Sequence, residues 1–264
     1  MPNRNFSSHI RPRTVFLGVL AVFAVLLVGF RGTASRTRGA DRLRFLPPTI
    51  VWAWERPEDL RFLDPKKTGV AFLWKTVFLD RHSVSTVPRM QPLRVPPGTP
   101  LIAVIRVEAR QPDLNDEQRR QTVDAITSAT TLTNIQAVQV DFDATVSQRE
   151  FYRASLSDVR RRLPPDFPLL ITALASWCMN DDWITGLDID EAVPMLFRMG
   201  QNAHSANAFL ASNLQFKSPH CQGSLGLSSD EPAPLKPGAR RLYLFHPRAW
   251  TAAAYDRALH EVSQ

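Results

Sequence analysis

The stretch Gln136-Ala-Val-Gln-Val-Asp-Phe-Asp-Ala144 decides the fold, because it is an apolar strand that ends in two carboxylates. Alternate residues of a strand share a face, so we expect Gln139, Asp141 and Asp143 on one side of it. A polar stripe on an otherwise buried strand is costly unless its members are paired or used. Either neighbouring arginines and backbone amides hold the two carboxylates, or the carboxylates form the floor of an active site.

Seven further apolar runs of strand length flank this stretch. They are Thr49–Glu55, Gly69–Leu79, Pro100–Glu108, Pro168–Cys178, Ala192–Gly200, Gly223–Asp230 and Arg241–His246. Most are followed by a helical pattern or a proline-broken substitute, which indicates parallel strands buried on both faces. Since a β/α barrel closes at eight strands, we predict an α/β fold, a compact and partly irregular (β/α)8 barrel. The alternative, an open doubly wound sheet, lacks support because no glycine-rich phosphate turn follows a strand.

Local signals predict the connections between the strands. Arg56–Leu63 is predicted to be a turn leading into a short helix, and the proline-rich Asp80–Pro100 a hairpin or irregular excursion. Capping boxes, in which a polar side chain is followed three residues later by glutamine or glutamate, predict helix starts at Asn115 and Ser147. The triplet Arg160–Arg162, at the end of the second of these helices, is predicted to face solvent.

The N-terminus carries an apolar run that predicts export. The run Thr14–Phe30 is slightly short for a membrane span of about 20 residues and slightly long for a signal core of roughly 7–15. We predict a cytoplasmic stub with a signal or uncleaved anchor in residues 1–30, a basic linker in residues 31–46, and the barrel domain in residues 47–264. The run would contact the membrane, with the barrel at the periplasmic face of the inner membrane, or released if the signal is cleaved.

The charge and the cysteine content limit the classes of binding partner and metal site that the sequence predicts. The formal charge of +7 includes an arginine cluster directly after the apolar run: Arg31, Arg36, Arg38, Arg42 and Arg44. Such a cluster suits lipid headgroups, and no zinc-knuckle or aromatic-basic signature supports nucleic-acid binding. No CxxC or His/Cys cluster predicts a metal, and no cofactor is predicted. Cys178 and Cys221 could form one disulfide in an exported protein or remain two buried thiols, and the sequence leaves both open.

Polar side chains recur at the C-terminal ends of the predicted strands, where barrel active sites lie. The candidate catalytic carboxylates are Glu55, Glu108, Asp141, Asp143 and Asp230, and the candidate substrate-binding residues are Trp54, Trp177, Trp183, Arg198 and His246. Several acids around one mouth, with indole rings that suit the apolar faces of sugars, favour a carbohydrate ligand. Glycoside hydrolysis requires a protonated carboxyl and a second group that acts as nucleophile or base.

These residues predict specific roles. Asp143 would be the general acid, and Asp141 would orient it or hold its proton. The partner carboxylate would come from Glu55, Glu108 or Asp230. Arg198 would neutralise charge or bind a substrate hydroxyl or carboxylate.

Three motifs carry a family resemblance: Gln139-Val-Asp-Phe-Asp-Ala144, Ile171–Cys178 and Ala192–Gly200. Together they resemble the uncharacterised bacterial exported proteins called domain of unknown function 3142, from about Pro47 to the C-terminus. The resemblance implies a glycosidase-like barrel and no established reaction.

A more distant likeness is to the chitinase-type family 18 glycoside hydrolases, whose fourth strand carries D-x-x-D-x-D-x-E. In one register Asp141 and Asp143 match the second and third aspartates, with Val138 and Thr145 at the other two positions. In the second register Asp143 stands where the glutamate acid would be.

The sequence therefore predicts a glycoside-hydrolase-like barrel that acts on an envelope or extracellular polysaccharide by carboxylate acid/base catalysis. The alternative is a non-catalytic barrel that binds a glycan or an envelope partner. In that case salt bridges to Arg106 and Arg198 would hold the acids.

Overall fold

The computed structural model describes residues 41–263 except 82, 180, 182, 201–205, 207, 210–211, 213–214 and 233–237. Arg42–Gln264 forms one compact unit. Within the described part of the chain, no helix is both long and apolar enough to cross a membrane. The predicted signal or anchor, residues 14–30, lies outside the described residues.

Eleven strands are described, and eight of them close into a barrel. In chain order the strands are β1 (Thr49–Ala53), β2 (Glu58–Asp59), β3 (Thr68–Asp80), β4 (Ser83–Pro88), β5 (Leu93–Arg94), β6 (Leu101–Ala109), β7 (Ile135–Asp141), β8 (Leu169–Leu174), β9 (Glu191–Met195), β10 (Ser224–Ser228) and β11 (Arg241–Phe245). The barrel strands are all parallel, and β1 pairs with both β3 and β11, which closes the sheet. This confirms the predicted (β/α)8 barrel over the open sheet.

The predicted hairpin or irregular excursion, Asp80–Pro100, contains β4 and β5. β3 continues past the barrel and pairs antiparallel with β4, while β2 and β5 form a small parallel sheet. Arg56–Leu63 contains β2 and not the predicted short helix. The reason is tertiary pairing, because the Glu58 N–H donates to the Pro92 carbonyl at 3.0 Å and this bond holds the segment extended.

Four α-helices are described: α1 (Asp116–Thr127), α2 (Arg149–Arg162), α3 (Ala175–Met179) and α4 (Ala252–Ser263). The capping box predicted at Asn115 is confirmed, with Gln118 as its reciprocal partner. The box predicted at Ser147 is wrong by two residues, since Thr145 and Gln148 form it. A 3-10 turn at Val146–Gln148 leads into α2, so the first cap belongs to that turn.

The prediction that Arg160–Arg162 faces solvent is wrong for Arg160. Its side chain is buried, pairs with Asp190 at 3.1 Å and donates to the carbonyls of Pro164 and Phe167. Asp190 also pairs with Arg42 at 2.7 Å. The end of the predicted linker is thus held against the barrel by a buried carboxylate that two arginines share.

The barrel interior is a packed core, not a pore. Inward-facing side chains fill it, and the largest of those that are fully buried are Ile50, Trp52, Ile102, Leu170 and Tyr243. A second apolar layer lies between the sheet and the surrounding helices. Filled interiors of this kind leave only the strand ends for a functional site.

A polar network lies at the N-terminal ends of β9 and β11. Glu191 is 2% exposed, and its carboxylate accepts hydrogen bonds from Arg241 at 2.7 Å and from the Tyr243 hydroxyl at 2.8 Å. Arg241 also donates to the carbonyls of Leu43 and Pro47. This network joins the chain entering the domain to two strands and forms the barrel floor.

The two cysteines form a disulfide. Cys178 lies in α3, and Cys221 ends a 3-10 turn that precedes β10. Both side chains are fully buried. The bond joins the connection after β8 to the connection before β10, and so crosses β9.

Candidate functional site

An acidic group lies at the C-terminal ends of β6, β7 and β8. Arg106 stands opposite Asp141 in the strand register, and its guanidinium contacts the Asp141 carboxylate at 3.3 Å. The same guanidinium pairs with Glu108 at 2.8 Å. The Thr172 hydroxyl donates to the other Asp141 oxygen at 2.7 Å. The structure therefore brings Asp141 and Glu108 together, with one arginine between them.

The polar stripe continues one layer deeper. Gln139 is buried in the barrel, where its side-chain oxygen accepts a hydrogen bond from the Trp52 indole at 3.2 Å. Among the described residues, its amide nitrogen has no hydrogen-bond partner. Gln139 and Asp141 thus face inward together, and the stripe is paired only in part.

Burial raises the pKa of Asp141 above its ordinary value. The Thr172 hydrogen bond and the Arg106 charge oppose this rise, and the neighbouring charge of Asp143 adds to it. A carboxylate that is desolvated and lies beside a second carboxylate retains its proton to higher pH. Asp141 therefore has the environment of a group that can hold a proton near the mouth.

The stability of the Asp141→Asn variant relative to wild type is expected to increase as the pH rises from the unfolded-state pKa of Asp141 towards its folded-state pKa. A folded-state pKa above the unfolded value makes the wild type lose stability between those two values, and the variant lacks this loss. Each unit of pKa shift is worth about 1.4 kcal/mol. Urea unfolding at several pH values would measure the difference in free energy of unfolding.

The control for this series is Asp230→Asn. The Ser228 hydrogen bond lowers the pKa of Asp230, so this variant should lose stability relative to wild type as the pH rises. If the free energy of unfolding of Asp141→Asn instead fell relative to wild type as the pH rises, the interpretation of Asp141 as a buried carboxylate would be contradicted.

Asp143 lies just beyond the end of β7 and is exposed. It has no hydrogen bond or ion pair to another described residue, yet its charge acts on Asp141, Arg106 and Tyr152. Two carboxylates two residues apart thus differ sharply in environment. One is buried and held, and the other is open to solvent at the mouth.

A cleft of about 340 Å³ opens at the other side of the mouth, at the ends of β1, β9, β10 and β11. It is lined by Trp54, Glu55, Arg56, Phe197, Arg198, Ser228, Phe245, His246 and Pro247. Four of the predicted site residues are therefore together here: Trp54, Glu55, Arg198 and His246. The acidic group does not line this cleft.

Aromatic rings form the apolar wall of the cleft. The Phe245 ring lies 4.7 Å from Phe197 and 4.6 Å from Trp52, measured between centroids. Trp52 in turn contacts Trp54 edge to face at 4.8 Å. The stack connects the wall to the barrel core, so the ring of Trp54 is held firmly at the mouth.

The polar side chains of the cleft are mostly committed to other groups. The Glu55 carboxylate accepts the backbone N–H groups of Met90 and Gln91, at 2.9 and 3.1 Å. Arg56 pairs with buried Glu58 at 3.0 Å and donates to the carbonyl of Pro247 at 2.6 Å. These contacts leave neither group in the position of an unpaired acid or base.

Burial lowers the pKa of His246, and the charges of Arg248 and Arg56 lower it further. The imidazole contacts the Ser229 hydroxyl through Nδ1 and lies 4.8 Å from the Trp250 ring. Near neutral pH the imidazole is therefore held mainly in its uncharged form.

Arg198 has an unusual backbone, with a φ of 52° in the left-handed region. Both Glu231 carboxylate oxygens accept its N–H, each at 3.1 Å. Its guanidinium contacts Asp230 at 3.4 Å, and the Ser228 hydroxyl donates to the same carboxylate. The predicted site residues Arg198 and Asp230 are thus paired with each other at the rim.

Arg106 connects the two sides of the mouth. Its guanidinium carbon lies 5.5 Å from the centroid of Trp54, while the same group pairs with Asp141. The acidic group and the cleft are therefore neighbours across one tryptophan ring.

Trp177 and Trp183 correct the prediction of substrate contact, because they are only 3% and 8% exposed. Their rings pack edge to face at 4.9 Å in the layer outside the barrel, and Arg149 covers Trp183. Sequence reasoning instead missed Phe197 and Phe245. The alternation of β11 could have indicated Phe245, since it shares the inward face with Tyr243.

No group of three acidic, histidine or cysteine side chains among the described residues is arranged to hold a metal ion.

Comparison with known proteins supports the fold. The family model described as Domain of unknown function (DUF3142) matches residues 97–197, which confirms the predicted resemblance over β6 to β9. No curated protein matches the chain.

Among solved structures, the chain is similar to a protein from Streptomyces coelicolor provisionally named chitinase A. The TM-score is 0.54 at 10% identity, over 81% of this chain and 96% of that one. A family GH18 chitinase from Chromobacterium violaceum gives a TM-score of 0.49 at 9% identity, over 82% and 81% of the two chains. The spore cortex-lytic enzyme SleL of Bacillus cereus gives 0.45 at 15% identity, over 68% and 51%, so this chain spans about half of its length. The Streptomyces structure carries the conclusion of a shared barrel fold.

Proposed function

We propose that the barrel binds a polysaccharide at its mouth and hydrolyses it, with Asp143 as the general acid. The observation that carries the proposal is the pair of carboxylates at the end of β7. Asp141 is buried and held by Thr172 and Arg106, while Asp143 is exposed and unpaired among the described residues. An acid that protonates a leaving oxygen needs access to substrate, and the second carboxylate of such a pair is fixed in place beside it.

The other predicted carboxylates fit poorly as nucleophiles. Backbone N–H groups bind Glu55, Arg106 pairs with Glu108, and Ser228 and Arg198 hold Asp230. A substrate-assisted route avoids this difficulty, since a neighbouring group of the sugar itself attacks the anomeric carbon. Such a route requires an acid and a second carboxylate that orients the attacking group.

In this scheme Asp143 gives its proton to the glycosidic oxygen as the bond from that oxygen to the anomeric carbon breaks. The sugar that contains the anomeric carbon carries a 2-acetamido group, which Asp141 orients. The oxygen of this group forms the new bond to the anomeric carbon. Water then attacks the anomeric carbon of the cyclic intermediate, the bond from that carbon to the acetamido oxygen breaks, and a proton of the water passes to Asp143. Every bond and proton is accounted for without a protein nucleophile.

A second candidate function is glycan binding without hydrolysis. It is favoured by one observation, that Arg106 neutralises both Asp141 and Glu108. The aromatic cleft also lies beside the acidic group and not over it. A barrel of this kind would hold a glycan by ring contacts alone.

Asp143→Asn separates the two candidates. We expect the full chain to release reducing ends from a polysaccharide in a hydrolysis screen, and the variant to lower kcat by about 10²–10⁴-fold with KM little changed. Asparagine keeps the shape and removes the proton. Glu117→Gln, an exposed change on α1, is the control and should leave kcat unchanged.

Hydrolysis that survives Asp143→Asn would contradict the acid role. Equal glycan binding by wild type and variant, with no cleavage by either, would establish the non-catalytic candidate instead.

We also propose an exported location, with the barrel at the periplasmic face and the membrane contacted through residues 14–30, or released if the signal is cleaved. Support comes from the Cys178–Cys221 disulfide, because such bonds persist in oxidising compartments. In this proposal residues 1–30 act as the signal or anchor, and residues 31–46 link them to the barrel, with Arg42 already held against it.

A further inference from the structure

We propose that the cleft beside the acidic group is a subsite for a sugar that carries a carboxylate, with Arg198 as the residue that selects it. The inference rests on the proposed function in one respect, that the mouth binds a glycan. It adds the chemical class of one sugar of the glycan and the position of that sugar relative to Asp143.

The cleft has the size and wall of a sugar subsite. Its volume of about 340 Å³ is at the lower end of ligand pockets, which span about 300–1,000 Å³. Trp54, Phe197 and Phe245 are the aromatic residues of its lining. Flat rings of this kind pack against the apolar face of a pyranose and leave its polar groups free for polar partners.

One guanidinium in the cleft lining has free donors. Arg56 is committed to Glu58 and to two backbone carbonyls, and the uncharged form of His246 dominates. The side chain of Arg198 is 61% exposed, and among the described residues its single hydrogen bond is the long one to Asp230 at 3.4 Å. A guanidinium has five N–H donors in a fork that matches a carboxylate.

No carboxylate of the cleft opposes an anionic ligand strongly. Two backbone N–H groups already compensate the charge of Glu55. Asp230 is held from the other side by the Ser228 hydroxyl, so a ligand carboxylate would share Arg198 with it. The lining of the cleft thus carries two arginines, Arg56 and Arg198, and one carboxylate, Glu55.

The backbone at Arg198 supports a role for its side chain. A non-glycine residue in the left-handed region costs about 1–3 kcal/mol and persists only where neighbours fix it. Here both oxygens of Glu231 fix the N–H of Arg198. Glycine would adopt this φ of 52° without cost. The position instead carries an arginine, whose guanidinium is exposed.

The geometry also gives the order of the sugars along the bound glycan. Trp54 separates the cleft from Arg106, and Arg106 pairs with Asp141. The carboxylate-bearing sugar would therefore lie across Trp54 from Asp143. It would be the neighbour of the sugar at the cleaved bond and not that sugar itself.

The test compares two glycans that differ only in charge. The probes are a hyaluronan oligosaccharide, in which glucuronate alternates with N-acetylglucosamine, and the same oligosaccharide after its carboxylates are reduced to alcohols. Titration calorimetry on the full chain should show at least about 10-fold tighter binding of the acidic probe. Arg198→Gly should abolish this preference without lowering Tm, because glycine removes the side chain and relieves the φ.

Arg61→Gln is the matched control for Arg198→Gln. Arg61 is 62% exposed and pairs with Asp59 as Arg198 pairs with Asp230, so both substitutions remove one exposed, paired charge. Only the change at Arg198 should reduce the preference for the acidic probe. An equal effect of both would assign the preference to net charge and overturn the subsite.

The remaining outcomes of the test also support or overturn the subsite. A preference that survives Arg198→Gly, or tighter binding of the reduced probe, or no binding of either probe, overturns the inference. Tighter binding of sulfated or phosphorylated neutral oligosaccharides overturns the assignment of a carboxylate. If the acidic preference is present and no glycan is cleaved, the subsite stands and the hydrolase fails. Cleavage without a charge preference gives the reverse result.

Discussion

Replacing Glu191 with alanine is expected to lower the free energy of unfolding by about 3–5 kcal/mol. Glu191 is the only carboxylate that the described structure places against Arg241 on the barrel floor. Its removal leaves the largely buried Arg241 guanidinium without a counter-charge. It also deprives the Tyr243 hydroxyl of its hydrogen-bond acceptor. Urea unfolding would show the loss as a lower midpoint with an unchanged slope.

Two further variants keep this prediction falsifiable. Glu191→Gln retains an acceptor for Tyr243, so its loss should be smaller than that of the alanine variant. Glu117→Ala breaks an exposed ion pair with Arg120 and should change stability by less than about 1 kcal/mol. A loss for Glu191→Ala as small as that of the surface control would show that the floor network adds no stability.

Removing the disulfide by the double substitution Cys178→Ala and Cys221→Ala should cost about 4 kcal/mol. The bond closes a loop with a sequence separation of 43 residues, and loop-closure entropy gives this magnitude. Both sulfurs are buried, so alanine avoids placing a new polar group in the core. Thermal or urea unfolding of the variant against the oxidised wild type measures the cost.

A thiol assay provides the independent check. The denatured, unreduced protein isolated from an oxidising compartment should contain no reactive cysteine. Two reactive thiols would contradict the bond. Reduced wild type should match the double variant in stability, because both lack the same loop constraint.

The barrel could be predicted from the sequence because its signals are local and repeated. Each strand is a short apolar run with a polar end, and this pattern survives whatever the strand pairs with. The errors arose where a distant partner overrode a local preference. Glu58 lies in a strand because Leu93 of β5 pairs with it, and Arg160 is buried in an ion pair with the distant Asp190.

The candidate site could be predicted only in part. Alternation along β7 places Gln139 and Asp141 on one face, and the structure agrees. That Arg106 contacts Asp141 follows from the register of β6 against β7, which no local pattern encodes. The same limit applies to the tryptophans, since strand-end position did not distinguish the cleft residue Trp54 from the packed Trp177.

The closure of the barrel has a consequence for how the chain folds. β6 to β9 pair with neighbours in sequence, whereas β1 must pair with β11, so that Thr49 stands beside Leu242. Such distant pairing is slow to form, because the entropy of closing a long loop precedes the gain from contacts. During synthesis from the N-terminus, β1 therefore remains an edge strand, paired on one side only, until β11 has been made. The segment matched by the family model, residues 97–197, contains four of the eight barrel strands, β6 to β9, and neither strand of the closing pair.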